Sequence, residues 1–322
     1  MTTPSQPGPD QRSSDQPGTE QPDPRLDALK SERRQLFDVA YRLLGSLADA
    51  EDVVQETYAR WYALTTEQQE DIKTPVAWMT KVASRICLDL LGSARARRER
   101  YVGEWIPEPL PDRSEWVSGR SGVLSGDPAD RVTLDESISM AFLVVLESMT
   151  PAERVAFILH DVFSYPFADV AEIVGRSPDA CRQLASSARR RVRESGSAAT
   201  PAPHTRQADV VRQFKEAFEA KDVAGLVRLL DPQVVSMTDG GGVASAYPSR
   251  VGPAEVVQAC LDLKSRMPYL SVLERTVNGQ PGLVAQVDGE TMAVLAFKVV
   301  DDMIEHIWTV RNPEKLRPWI TS

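Results

Sequence analysis

The stretch Thr150–Glu194, TPAERVAFILHDVFSYPFADVAEIVGRSPDACRQLASSARRRVRE, decides how this chain is read. It spells short helices, a tight turn and a final helix loaded with arginine. Thr150 and Glu153 form a capping box, and Pro151 stands at the first helical position, where its missing N–H costs nothing. Val155, Phe157, Ile158 and Val162 follow at roughly helical spacing until Pro166 blocks simple continuation. Phe167, Val170, Ile173 and Val174 give the next helix its apolar side, and Gly175 allows the sharp turn that a helix-turn-helix unit needs. Ser177 is a good N-cap and Pro178 suits the first turn of the last helix. In that helix Leu184, Ala185, Ala188 and Val192 can face a core, while Arg182, Gln183, Ser186, Arg189 and Arg190 face outward as a surface for the major groove. Alone, the motif says DNA binding without saying which kind, and a solvated arginine-rich helix is its bland alternative.

The 322 residues are long for one core, so two or three domains are expected. The formal net charge of -9 looks wrong for a DNA binder until the charges are mapped. Arg95, Arg97, Arg98 and Arg100 form one basic run and Arg189, Arg190, Arg191 and Arg193 another. Local field, rather than net charge, governs phosphate contact. The three cysteines, Cys87, Cys181 and Cys260, lie far apart without metal-ligand histidine spacing and read as reduced, buried thiols. No metal or cofactor is expected. Neither a signal peptide nor a membrane-spanning run is visible, so a cytoplasmic location is expected.

Residues 1–24 are rich in Pro, Gln, Ser, Gly and Asp and read as a disordered tail. Leu36, Val39, Ala40, Leu43 and Leu44 then form a helical stripe that Gly45 stops. A helix from Asp49 sets Val54, Tyr58, Trp61 and Leu64 on one side and Asp52, Gln55, Glu56 and Arg60 on another. After a polar loop from Thr65 to Lys73, Pro75 opens a long helix carrying Lys81, Arg85 and Asp89 along one flank. Residues 103–134 turn to Pro, Gly, Ser and Asp around Trp105, Ile106, Trp116 and Val117, the composition of a linker in which two tryptophans want a partner surface. Asp135 to Met149 is expected to be a helix packed on the helix-turn-helix unit.

From near His204 two amphipathic helices, Gln207 to Ala220 and Asp222 to Leu230, precede a strand at Val234–Thr238 and a helix at Pro253–Lys264. Strand-like runs follow at Leu270–Val277, Leu283–Val287, Met292–Val300 and Met303–Val310. Helices followed by an antiparallel sheet suggest an α+β cone. Asp239, Tyr247, His306 and Trp308 are the candidate proton-transfer groups there, but no paired base and oxyanion donor is legible, and His306 alone reads as a structural histidine.

The blocks DAEDVVQETYARWYAL, TPVAWMTKVASRICLDLLGSARARRERYVG and MTPAERVAFILHDVFSYPFADVAEIVGRSPDACRQLASSARRR, in this order, resemble regions two and four of a group IV (extracytoplasmic-function) sigma factor of bacterial RNA polymerase. WIPEP at 105–109, DGGG at 239–242 and NPEKL at 312–316 resemble the subgroup with a fused C-terminal SnoaL-like domain, the mycobacterial sigma-J type. The resemblance implies a multidomain chain with two all-α sigma domains followed by an α+β SnoaL-like, NTF2-like cone. The divisions are region two at 25–102, a linker at 103–134, region four at 135–195, a short linker at 196–203 and the regulatory domain at 204–322.

The resemblance also assigns roles. Asp49, Asp52, Gln55 and Glu56 correspond to the surface that docks on the polymerase beta-prime clamp, with the beta flap as a further core contact. Trp78, Lys81, Arg85 and Asp89 correspond to capture of the unpaired minus-ten element, where cations beside an aromatic suit an extruded base and its backbone, although Trp78 also reads as core. Ser177, Pro178, Arg182, Gln183, Ser186, Arg189 and Arg190 correspond to minus-thirty-five contacts, since Arg and Gln make paired hydrogen bonds to base edges. Ser187 stands where relatives are often basic. Trp105, Ile106, Pro107, Glu108 and Pro109 would meet Asp239, Gly240, Gly241 and Gly242 and Asn312, Pro313, Glu314, Lys315 and Leu316. That makes the expected function transcription initiation regulated in cis, with core polymerase and promoter DNA as partners, an unidentified small ligand in the third domain left open, and no membrane. The competing readings are an isomerase-like enzyme or ligand sensor tethered to DNA, and an ordinary repressor.

Overall fold

The computed structural model describes residues 24–98, 101, 103–111, 138–195, 204–244 and 248–320. The expected tail up to residue 23, Trp116 and Val117, the linker at 196–203 and Tyr247 lie outside the described residues.

The first helical unit holds α1 (Pro24–Leu44), α2 (Leu47–Tyr62), α3 (Thr66–Asp71) and α4 (Pro75–Arg98). α1 ends where Gly45 takes φ +68°, and Ser46 caps α2 by accepting from the Asp49 N–H. Leu36, Val39, Ala40, Leu43 and Leu44 pack with Val53, Val54, Met79, Ala83, Cys87 and Leu91. The expected polar loop at Thr65–Lys73 contains α3, because Thr65 and Gln68 form a capping box that offsets the lack of any apolar stripe.

The second unit holds α5 (Met140–Glu147), α6 (Pro151–Phe157), a π-helical turn at Ile158–Val162, α7 (Phe167–Val174) and α8 (Pro178–Glu194). α5 starts later than Asp135 because Ser139 caps it. Thr150, Gly175 at φ +71° and Ser177 take the capping and turning parts that their residue types favour. The two helical units share one core: α4 packs on α6 and α7, and Ile158, Leu159 and Ala188 are buried in the same cluster as Leu43 and Met79.

The third unit runs α9 (His204–Ala220), α10 (Val223–Leu229), β1 (Leu230–Asp239), β2 (Arg250–Val251), α11 (Pro253–Arg266), β3 (Ser271–Val277), β4 (Gln280–Val287), β5 (Glu290–Val300) and β6 (Met303–Val310). The sheet order is β2-β1-β6-β5-β4-β3. It is a mixed sheet rather than the expected antiparallel one, since β1 runs parallel to β6. Four strands intervene in sequence between those two, so no hairpin fixes their relative direction. One face packs on α9–α11 around Phe214, Leu226, Leu283 and Ile307; the other carries Val277, Val284, Val294, Trp308 and Val310 against Ile106 and Met140. The whole is two helical units followed by an α+β domain built on a six-stranded mixed sheet.

Candidate nucleic-acid interface and linker clamp

On α8 the apolar repeat turns Cys181, Ala185, Ala188 and Val192 inward, which leaves Arg182, Gln183, Ser186 and Arg190 exposed. Gln183, Ser186, Arg189, Arg190 and Arg193 line a shallow groove along the helix. Arg182 pairs with Asp179 and lies 5.8 Å from the Phe167 ring centre; Arg189 donates to Asp161 at 2.6 Å. These partners are exposed or half-buried, so such pairs contribute about 0–1 kcal/mol and yield readily to phosphate. Ser187 donates to Glu153 at 2.8 Å, against α6. Burial alone would raise the Glu153 carboxyl, but the Thr150 N–H, the Ser187 and Thr150 hydroxyls and Arg191 hold it below its usual range. The serine at this position thus ties α8 to α6 through Glu153 of the α6 capping box.

The flank of α4 is arranged differently. Lys81 pairs with Glu172 of α7, and Arg85 donates to the Glu172 carbonyl at 2.9 Å. Asp89 is exposed on the same flank. Trp78 is partly buried on the core, its ring 5.4 Å from that of Trp61. On α2, Asp52, Gln55 and Glu56 are exposed and Asp49 is half-buried in the first turn; Glu56 pairs with Arg60 at 2.8 Å.

The segment 103–111 has a linker's composition and a core's surroundings. Ile106 is fully buried and Pro107 and Pro109 are buried; burying an isoleucine contributes about 1.5–3 kcal/mol. Towards the third unit, the buried Asp239 carboxylate accepts from the Ile106 N–H at 3.0 Å, the Tyr101 hydroxyl at 2.6 Å and the Lys315 ammonium at 2.7 Å. Lys315 also donates to the Ile106 carbonyl and sits 4.1 Å from the Trp105 ring centre. Asn312 donates to the Tyr101 hydroxyl at 2.9 Å and takes the Glu314 N–H at 3.0 Å, which fixes the turn carrying Lys315; Pro313 is exposed and Leu316 buried. Gly240 and Gly242 form the turn after β1, and Gly241 has φ +64°. A Cβ there would stand 2.5 Å from the Asn312 side chain, so the 239–242 and 312–316 turns approach as only glycine permits.

Towards the first unit, the Glu108 carboxylate accepts from the Leu47 N–H at 2.6 Å and the Ser46 hydroxyl at 3.2 Å, at the start of α2. Burial pushes this carboxyl above its ordinary range, against the opposing pull of the Leu47 N–H and Lys315. The Tyr41 hydroxyl donates to the Glu108 carbonyl at 2.6 Å and accepts from Asn278 at 2.9 Å. Trp319 donates to the Pro109 carbonyl at 2.9 Å, and Asn278 exchanges two bonds with Leu110. Nearby, Arg154 of α6 donates to the Leu43 carbonyl at 2.9 Å and to Glu147 at 2.7 Å, and burial lowers its guanidinium to about 9. The linker therefore makes hydrogen bonds to two units at once.

Of the candidate proton-transfer groups, Asp239 serves the clamp, and His306 and Trp308 stack on each other, with Trp308 buried on the linker side of the sheet. None of these three lines the cavity on the other face. Burial and Lys298 hold the His306 imidazole below its usual range. Sequence reasoning missed Tyr41, Tyr101, Asn278, Arg154, Glu172 and Trp319. Only Asn278 carried a local signal, as the first residue of an Asn-Gly hairpin turn with φ +51°. Among the described residues there is no metal-binding cluster and no helix long and apolar enough to cross a membrane.

Sigma-70 region 2 matches residues 29–97 and Sigma-70, region 4 matches residues 139–192. The probable ECF RNA polymerase sigma factor SigI of Mycobacterium tuberculosis is 37% identical over 299 residues, covering 92% of this chain and 97% of the relative. The ECF RNA polymerase sigma factor SigJ of the same organism is 40% identical over 294 residues, covering 88% and 90%. The crystal structure of the M. tuberculosis extracytoplasmic function sigma factor SigJ superposes with a TM-score of 0.71 at 35% identity, covering 91% of this chain and 98% of that one.

Proposed function

Because the chain belongs to the ECF RNA polymerase sigma factor family, we propose that it directs promoter-specific initiation from a closed state that its third domain maintains by clamping the linker. It binds core polymerase and promoter DNA, as sigma factors do. In our reading Asp49, Asp52, Gln55 and Glu56 meet the beta-prime clamp, region four meets the beta flap, Trp78, Lys81, Arg85 and Asp89 capture the minus-ten strand, and the outward face of α8 reads the minus-thirty-five duplex. Residues 25–102, 135–195 and 204–322 are then region two, region four and a regulatory domain.

A length argument favours a closed resting state. The two promoter elements lie roughly 25 base pairs apart, about 85 Å of duplex at 3.4 Å per step. α4 and α7 are in contact. One rigid body so packed cannot address both elements, so regions two and four must separate on the enzyme. The observation that carries the reading is the double engagement of the linker: Asp239 and Lys315 hold Ile106 on one side while Gly45 and Leu47 hold Glu108 on the other.

The test is run-off transcription with purified core enzyme, comparing the full chain with chains ending after Ser195 or before Asn312. Release of the 312–316 turn is expected to raise initiation. If neither truncation changes initiation, the regulatory assignment fails.

A further inference from the structure

The third domain encloses a cavity of about 130 Å³ that neither the clamp nor the DNA-reading surfaces use. Its body is hydrocarbon, supplied by Phe214 and Phe218 of α9, Val256 of α11, and Leu283 and Ile307 of the sheet. Its polar groups are few. Thr238 and Thr309 line it from paired positions on the parallel strands β1 and β6, with Ser236 beside them on β1, and Arg250 and Arg311 line it from the adjoining strand ends. Among the described residues no carboxylate lines the cavity, and the Cys260 thiol, pushed up to about 12 by burial, stays neutral. Arg250 lies 3.9 Å from Glu255, whose carboxylate is largely exposed. The wall is thus apolar over its body and cationic at one end, the arrangement that orients an amphipathic anion.

We infer that this cavity binds a small apolar monocarboxylic acid, with its hydrocarbon body between α9, α11 and the sheet and its carboxylate against Arg250 and Arg311. Cavity size sets the scale of the body. A dry apolar cavity of about 150 Å³ holds benzene, so a single ring or a chain of about six carbons fits inside, with the carboxylate end at the arginines. Thr238 and Arg311 immediately precede Asp239 and Asn312, which puts the acid one residue from the clamp on both strands. The inference goes beyond the regulatory reading and does not depend on it, since binding is read without transcription.

The experiment is calorimetric titration of the full chain with octanoate and with phenylacetate, alongside 1-octanol and octylamine. Saturable one-to-one binding of at least one of the two acids is expected, with the alcohol and the amine much weaker. The double variant Arg250→Gln, Arg311→Gln is expected to bind about tenfold more weakly or worse, because a hydrogen bond to a charged group is among the stronger ones. Ala293→Leu, which fills the cavity, should abolish binding. Circular dichroism and thermal unfolding confirm that each variant is folded, and the arginine pair keeps the test sharp if the filled variant is not. The inference is overturned if neither acid binds at millimolar concentration, if octanol or octylamine binds as tightly, or if the folded arginine variant binds as the parent does.

Discussion

The two helices assigned to DNA reading in the proposed function sit in opposite states. On α8, Gln183, Ser186 and Arg190 face solvent with only weak surface pairs beside them, whereas on α4, Lys81 and Arg85 are engaged by Glu172 of the helix-turn-helix unit. Region four thus leaves the polar face of α8 open while its Glu172 covers the cationic flank of α4. The difference suits two-step use, in which duplex recognition needs only an exposed helix and strand capture needs the units to part. What holds them together is not the Glu172 pairs, which are exposed, but the shared apolar core and the linker clamp.

The largest effect should come from the clamp. Lys315→Ala leaves the fully buried Asp239 without its cation, and removing one partner of a buried pair costs about 3–5 kcal/mol. Amide exchange at Ile106 is expected to accelerate sharply, with initiation in run-off assays rising beside it. Protection equal to the parent's would remove the clamp from the account.

Next comes the open helix. Arg182→Ala and Gln183→Ala should each cost about 1–3 kcal/mol of promoter discrimination, because paired hydrogen bonds to a base edge carry that much. Competition between promoters altered only in the minus-thirty-five element measures it. Equal losses on all promoters would reassign these residues to phosphate contact.

Glu172→Ala tests the closed helix and should be milder, about 0–1 kcal/mol, since its carboxylate is 60% exposed. Binding of single-stranded minus-ten oligonucleotide by the free chain should tighten slightly, whereas weaker binding would show that Glu172 supports α4 rather than covers it.

The smallest effect is a pH dependence. Burial raises the Glu108 carboxyl in the docked linker. A group whose folded pKa is raised contributes stability that is complete below its unfolded pKa and lost as pH rises through the folded one. Linker protection is therefore expected to weaken with rising pH over that window, and Glu108→Gln should flatten the profile. An unchanged slope in the variant would place the titrating group elsewhere.

How much of this was legible follows from where each signal resides. Thr150, Glu153, Gly175, Ser177 and Pro178 act within a few residues of themselves, so caps and turns of region four were readable from the chain. The strand from Met303 to Val310 was readable in the same way from its residue types. The parallel pairing of β1 with β6 was not, because direction between strands so far apart in sequence is set by packing. The sequence placed Lys81 and Arg85 on a common flank but could not name Glu172, some ninety residues away, as their cover. Likewise the motifs at 105–109, 239–242 and 312–316 stood out by residue type, while Tyr41, Tyr101 and Asn278 complete the clamp through side chains that ordinary core or turn positions would also carry.

The most direct test is energy transfer between dyes at Glu70→Cys in region two and Arg176→Cys in region four, both exposed positions. Cys87 and Cys181 are fully buried and the Cys260 thiol is pushed up to about 12, so labelling should favour the introduced sites. High transfer is expected in the free protein, with a large fall when core polymerase and promoter DNA are added. Transfer that stays high while transcripts are made would contradict the closed-to-open account.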